Sequence, residues 1–381
     1  MHIVCFTGTR ADYGILRPAL RELDQDPRFC LELVVTGMHL LPEYGETIRE
    51  IEKDVFAVIA TPSILLKGDS LEAMSKSAGL GILYFSDILQ RSKPDCVLLL
   101  GDRIEILSAA IAAHYQNIGI VHLHGGEQSG SADDAVRHAI SKFAHLHFVA
   151  SLKAKQHLLR LGEADWRIVP IGSLRKQQIE RIRNLKDATA CLWSEAFGIH
   201  SPRSKILLCI HPDSKDPLNY EEQINSVLNA LRPYACESDI YVIGPNSDSG
   251  GSLFREKLLA FVNEHPLARY IPSIPDDQFL FLMSNVDLMI GNSSSAIIES
   301  PFFHLTAINI GNRQQGRESA DNVISIPFDT VAIQQAIHLQ LNTKDSLQCA
   351  NPYDLCENPE REFIEQLARF ASRLDIWEKS P

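Results

Sequence analysis

Cys96–His124 reads CVLLLGDRIEILSAAIAAHYQNIGIVHLH. An unbroken apolar run ends at Gly101. A stretch of helical length and composition follows over Ile104–Tyr115, and a second apolar run fills Gly119–His124. Strands that alternate apolar and polar residues are half-buried; solidly apolar ones are covered on both faces. Two such strands joined by one helix predict a β-α-β unit and a parallel sheet.

The same grammar extends in both directions. His2–Gly8, Leu31–Gly37, Phe56–Ala60, His147–Ala150 and Ile168–Gly172 read as further strands, with helices over Ile15–Leu23, Ser70–Gln90 and Asp134–His145. The pattern pauses near Arg183–Arg203. It restarts with strands at Lys205–His211, Ile240–Gly244, Tyr270–Pro272, Leu288–Gly291 and Thr306–Ile310, and helices at Tyr220–Leu231, Ser252–Glu264, Asp276–Met283, Ser294–Phe302 and Thr330–Leu341. The expectation is an α/β protein of two Rossmann-like domains. Residues 1–180 form the first, joined by a C-terminal helical stretch in 359–381; residues 181–358 form the second. Ligands of such sheets bind at the carboxyl ends of the strands, so an interdomain cleft is the expected active site.

Length and charge narrow the function. A chain of 381 residues has room for about two domains. Lys plus Arg is 36 and Asp plus Glu is 48, a formal charge of −12. This argues against nucleic acid or anionic lipid as a general partner. No apolar run is long enough to span a bilayer, and Met1–Gly8 reads as a strand and not a leader. Eight cysteines are scattered without a C-x-x-C pair, as expected of buried free thiols in a reducing, cytoplasmic setting.

Polar residues cluster where strands end. Gly8-Thr9-Arg10-Ala11-Asp12 offers a turn whose backbone can approach an anion, with Arg10 as a cation or as a helix-entry partner of Asp12. Neither G-x-G-x-x-G nor a P-loop occurs, so no nicotinamide cofactor is implied. Asp102 leaves a strand end beside Arg103, either as a cleft-facing acid or as a helix cap. His122–Asp134 is the densest polar stretch: His124, Glu127 and Asp133 are acid–base candidates around a Gly-Gly turn. A capping-box start from Ser131 and Asp134 and an Asp133–Arg137 ion pair are the structural alternatives. No metal-ligand spacing is present. Gly291–Glu299 (GNSSSAIIE) puts small hydroxyl residues at a helix start, suited to capping or to a pyrophosphate, with Glu299 placed for a ribose. His211 and His39 end strands as possible phosphate donors or as satisfied structural histidines.

Together GTRADYG, TGMHL with its following YG, LGDRIE, HLHGGEQSGSADDAVRHAISK, HPDS, GPNSDSG, GNSSSAIIE and NIGNRQQGR, from about residue 3 to about residue 325, resemble the hydrolysing UDP-N-acetylglucosamine 2-epimerases of sialic and legionaminic acid biosynthesis. GTRADYG and HGGE separate them from the non-hydrolysing cousins. The resemblance implies the GT-B fold, with the nucleotide mainly on the second domain. Ser293 and Ser294 would hold the diphosphate and Glu299 the ribose. Arg10, His39, Arg103, His211, Asn246 and Arg313 would surround the UDP, with Phe279 near the uracil. Asp102 and Asp133 match carboxylates of the chemistry. Many relatives carry Glu where this chain has His124, which leaves that role open between His124 and Glu127. Ile171–Lys176 also departs from the usual segment.

The reaction implied converts UDP-GlcNAc and water to UDP and N-acetylmannosamine through a 2-acetamidoglucal, with no cofactor and no metal. UDP-N,N′-diacetylbacillosamine is the rival substrate. A GT-B glycosyltransferase and an inactive UDP-sugar binder are the other classes. The resemblance also implies a homodimer or homotetramer.

Overall fold

A computed structural model describes residues 1–66, 70–130, 133–246, 248–342, 349–373 and 377–379. The chain divides into two compact units: Met1–Gln128, Ala132–Lys176 and Pro352–Pro381 form the first, Ser129–Ser131 and Gln177–Asn351 the second.

The first unit holds seven strands: β1 (His2–Thr7), β2 (Cys30–Val35), β3 (Val58–Ala60), β4 (Cys96–Leu100), β5 (Gly119–Leu123), β6 (Leu146–Val149) and β7 (Ile168–Pro170). They pair in parallel in the order β3-β2-β1-β4-β5-β6-β7. Alternation within each strand builds two cores. Ile3, Cys5, Leu98 and Leu100 face one way with Leu16 and Leu20 of the helix Arg10–Gln25. Val4, Phe6, Val97 and Leu99 face the other with Phe85 and Ile106. Both faces are dry, which is why the strands read as solid apolar runs.

The helix Pro359–Ala371 adds Phe363, Ile364, Leu367 and Phe370 to the first of these cores, with the Phe363 ring edge-on to Phe148 at 4.7 Å. The unit takes back more than that helix. Tyr353 is buried, its carbonyl accepts from Ser173 N, and Lys176 Nζ donates to Cys356 O at 3.0 Å.

The second unit holds β8 (Lys205–Cys209), β9 (Asp239–Ile243), β10 (Ala268–Ile271), β11 (Leu288–Gly291), β12 (Ala307–Ile310) and β13 (Val323–Ile326), all parallel, in the order β10-β9-β8-β11-β12-β13. Its core gathers Ile206, Leu208, Ile240, Val242, Leu288 and Ile308 with Phe254, Phe261 and Ile337 of the covering helices.

Three local readings are corrected. The pause at Arg183–Arg203 contains a helix, Ala188–Phe197, capped by Asp187 through Thr189 N and Ala190 N and closed by left-handed Gly198. The helix expected over Ser294–Phe302 is broken into Ser295–Ile298 and a 3-10 turn, Ser300–Phe303. Pro301 is the reason: it has no N–H to give and disfavours the α conformation at Ser300. The edge strand β13 had no counterpart in the sequence reading.

Candidate active site

Each sheet reverses its strand order once, between β1 and β4 in the first unit and between β8 and β11 in the second. Such a switch point opens a crevice at the carboxyl ends of the two strands, where loops diverge to opposite faces. The polar segments of the sequence sit on these ends.

In the first unit, Arg10 opens the helix after β1, whose N-cap Thr9 accepts from Asp12 N at 3.2 Å. Asp102 and Arg103 follow β4. Arg103, not Asp102, takes the N-cap position of the helix Ile104–Tyr115, and it makes no side-chain cap bond. Asp102 is thus released from capping and accepts instead from Arg137 Nη2.

Arg137 is among the largest fully buried side chains of the chain. It also donates from Nη1 to Asp134 Oδ1 at 2.7 Å and to the carbonyl of Glu127 at 2.9 Å. One guanidinium therefore joins the loop after β4, the turn after β5 and the first turn of the helix Asp133–Phe143, which begins with Asp133. Ser131, the proposed capping partner of Asp134, lies outside the described residues.

The turn after β5 is tightly built. His124 is buried and left-handed at φ 59°, an uncommon conformation for a residue with a Cβ. Gly126 is also left-handed, and a Cβ there would lie 2.5 Å from Ala154 O. Glu127 is buried as well. Beneath them His122 donates from Nε2 to Gly101 O at 2.8 Å, since a carbonyl can only accept. Its Nδ1 then accepts from Ser141 Oγ at 3.0 Å. Burial pushes its pKa down to about 3, so the ring is a neutral strut between the β4 and β5 ends.

His39 is a similar strut. Its ring lies 3.0 Å from Thr7 Oγ1 and 2.7 Å from Thr47 Oγ1, fully buried, and burial followed by the Arg10 charge holds its pKa down at about 3. The structure thus places His39 under the β1 turn as a neutral group.

In the second unit, Gly291 closes β11 at φ 140°, and a Cβ there would fall 1.8 Å from Cys209 O. Only glycine lets the ends of β8 and β11 come this close. Asn292 then staples the two loops: its Oδ1 accepts from His211 N and its Nδ2 donates to His211 O, both at 2.8 Å. His211 Nδ1 accepts from Asn246 N at 3.3 Å, which brings in the loop after β9. Gln314, in the loop after β12, donates to Asn292 O at 2.9 Å, and Arg313 donates to Asp248 Oδ2 at 2.9 Å. Four strand ends are tied into one polar surface carrying His211, Asn246, Ser293, Ser294 and Arg313.

Ser294 makes no side-chain cap bond, and Ser293 Oγ accepts from Ser295 N only at 3.4 Å. The serines are therefore not spent as caps. The helix behind them has four residues, too few for much of a dipole, so any anion here would rely on hydroxyls, N–H groups and Arg313. Glu299 is buried at the end of that helix. Phe279 is half-buried on the helix Asp276–Met283, which Gln178 anchors by donating to Asp276 at 2.6 Å and Asp277 at 2.8 Å.

The sequence reading left out His122, Arg137, Asn292 and Gln314 as working parts. All four stood inside quoted motifs, and Arg137 was read only as an ion-pair partner of Asp133; its bond to Asp102 and that of Gln314 to Asn292 join residues distant in sequence and left no local signal. Among the described residues no group of three or more His, Cys, Asp or Glu side chains forms a metal-holding cluster. No helix among them is long and apolar enough to cross a membrane.

The profile of the family described as UDP-N-acetylglucosamine 2-epimerase matches residues 21–362. The chain is 39% identical to the UDP-N,N′-diacetylbacillosamine 2-epimerase (hydrolyzing) of Legionella pneumophila, over 94% of this chain and 93% of that one. It is 38% identical to the GDP/UDP-N,N′-diacetylbacillosamine 2-epimerase (hydrolyzing) of Campylobacter jejuni, over 84% and 83%. In fold it is similar to the crystal structure of UDP-GlcNAc 2-epimerase from Neisseria meningitidis bound to UDP-GlcNAc, with a TM-score of 0.81 at 18% identity, covering 97% of this chain and all of that one. With two parallel α/β units of GT-B type and acid–base and anion-suited residues at their switch points, the chain belongs to the UDP-N-acetylglucosamine 2-epimerase family, on its hydrolysing branch.

Proposed function

We propose that the chain hydrolyses and epimerises a UDP-2-acetamido sugar, with UDP-N,N′-diacetylbacillosamine as the first choice and UDP-GlcNAc as the second. The choice follows the two hydrolysing relatives, each named for the diacetylated sugar and 39% and 38% identical over most of their length. The UDP-GlcNAc preference drawn from sequence alone thus gives way to its rival. UDP-GlcNAc stays in the test because the family carries its name.

The observation that carries the mechanism is Asp102, freed from helix capping and held by buried Arg137 at the end of β4. In the reaction proposed, a base takes the C2 proton as the C1–O bond to UDP breaks, giving a 2-acetamidoglucal. Water adds at C1 and a proton returns to C2 on the opposite face. The second step needs a donor on the other side, so two groups are required. Asp102 and Asp133 are assigned to these transfers, with His124 or Glu127 as the third group. Ser293, Ser294, His211, Asn246 and Arg313 are assigned to the UDP, together with Arg10 and Arg103 of the first unit. They stabilise the charge that grows on the leaving diphosphate. Glu299 is assigned to the ribose and Phe279 to the uracil.

The test is incubation of each UDP-sugar in D2O with NMR of the products. The expected result is free UDP and a 2-epimeric sugar deuterated at C2, formed faster from the diacetylated substrate. Retention of the C2 hydrogen, or product only when an acceptor alcohol is added, rejects the reading in favour of glycosyl transfer.

A further inference from the structure

Glu105 plays no part in the chemistry above, yet it is a costly side chain to bury. It lies in the first turn of the helix Ile104–Tyr115 and is fully buried. Neither carboxylate oxygen has a hydrogen-bond partner among the described residues. The cation beside it is Arg103, whose Nε lies 3.6 Å from Oε2. A buried carboxylate with a single loose ion pair costs stability.

The fold nevertheless makes a place for it. Gly8 and left-handed Gly37 form its wall; a Cβ on Gly37 would lie 2.6 Å from Oε1, and one on Gly8 3.3 Å away. A second acid comes from another element: Asp12, in the first turn of the helix after β1, has one oxygen buried without a partner among the described residues. Burial raises its pKa to about 6, with the Glu105 charge adding to the rise and Arg103 opposing it. The groups that face the pair are Arg103, Thr9 and the Gly8 N–H at Asp12, with Cys5 behind it.

We propose that Glu105 and Asp12 form a two-carboxylate seat that positions Arg103 for the diphosphate, Glu105 being the principal residue. Arg103 stands at the switch point, and its long side chain has many rotamers to lose. Acids arriving from two elements fix the guanidinium before the ligand arrives, so its ordering cost is not charged to binding. The carboxylates touch no ligand; they act through the arginine. The inference rests on the assignment of Arg103 to UDP made above.

The experiment is a double-mutant cycle on UDP affinity, by calorimetry on the full chain at pH 7.5, with thermal unfolding of each variant. Glu105→Gln is expected to weaken UDP about tenfold, equivalent to about 1.4 kcal/mol. It should leave the midpoint of unfolding unchanged or higher, because an unpartnered buried charge has become a neutral amide. Glu105→Asp, which keeps the charge, should recover part of the affinity. In an Arg103→Ala background the Glu105→Gln effect should shrink below twofold. A purely structural glutamate would lower the midpoint and weaken UDP equally in both backgrounds, and that outcome overturns the proposal. If Glu105→Gln does not fold, half-buried Asp12→Asn runs the same cycle under the same criteria. Failure of the wild type to bind UDP removes the nucleotide assignment and this inference with it. Binding by the wild type with additive effects removes this inference alone.

Discussion

Replacing Arg137 by Met removes a guanidinium while roughly keeping its volume. Its donors serve Asp102, Asp134 and the Glu127 carbonyl, so the change takes a buried donor from two carboxylates and one backbone acceptor at once. Removing one partner of a buried ion pair costs about 3–5 kcal/mol. The side chains of Asp102 and Asp134 are 22% and 20% exposed, so water reaches both, and the low end, about 3 kcal/mol, is the right expectation. At about 2–4 °C per kcal/mol for a unit of this kind, the midpoint of thermal unfolding should fall by about 6–12 °C. Lys at 137 keeps the charge but is a point donor that cannot span three acceptors, so it should recover less than half of the loss. Scanning calorimetry without ligand reads the stability; single-turnover kinetics reads the chemistry. Asp102→Asn should lower kcat by at least about 10²-fold. The double variant Arg137→Met with Asp102→Asn should be hardly slower than Asp102→Asn alone, because the arginine acts through the acid. A midpoint within 2 °C of wild type for Arg137→Met, or rate losses that multiply, would refute this reasoning.

Ser294→Ala and Glu299→Ala should each weaken UDP by about 1–3 kcal/mol in calorimetry, the range for hydrogen bonds to charged groups; unchanged affinity in both would place the nucleotide elsewhere. Asp133→Asn should cost about as much turnover as Asp102→Asn while sparing UDP affinity, and the comparison of His124→Ala with Glu127→Gln identifies the third group, with loss at His124 expected because it holds the matching, left-handed position. Stability should decline on acidification below the ordinary histidine value of 6.5: His39 and His122 are held near 3 when folded, so only the unfolded chain takes up their protons between those limits. Each contributes a slope of up to about 1.4 kcal/mol per pH unit, opposed by Asp12, whose raised pKa binds a proton in the folded state first; His39→Gln should flatten the decline in urea titrations run from pH 7 to pH 4. Turnover should survive EDTA, and abolition with rescue by a divalent ion would require a metal in the mechanism.

The parallel sheets were legible because their strands are buried on both faces and contain almost nothing but apolar residues. The edge strand Val323–Ile326 escaped because it is short and half-exposed, so it shows neither a solid run nor a clean alternation. The helix Ala188–Phe197 announced itself only through its ends, Asp187 and Gly198. At the site, the ends of β1, β4, β5, β8 and β11 stood out as glycine and polar residues that stop an apolar run. What each polar residue does there was not legible. Asp102 read equally as a cap or an acid; the N-cap place falls to Arg103, and Asp102 pairs instead with Arg137, 35 positions away. His39 read as a phosphate donor or as a satisfied structural histidine, and only the fold shows Thr7 and Thr47 beside its ring in a site that holds it neutral. Asn292 looked like one more small polar residue of a serine-rich turn, and only the fold shows it bonded to both backbone groups of His211.

The return of the chain to its first unit sets an order of assembly. Apart from the short Ser129–Ser131 piece, the second unit is one continuous stretch, Gln177–Asn351. Its core can close as soon as that stretch has left the ribosome. The first unit, although begun earlier, lacks Phe363, Ile364, Leu367 and Phe370 until the final helix emerges. Until then Leu16 and Leu20 of the helix Arg10–Gln25 and Phe148 of β6 lack those core partners, and the exposed apolar surface is the kind that chaperones bind and that aggregates when they do not. The unit that carries Asp102 and Arg137 is therefore started first and finished last. The groups assigned to proton transfer, and Arg10 and Arg103 with them, therefore wait for the last helix, whereas His211, Ser293, Ser294 and Arg313 of the second unit can be in place beforehand.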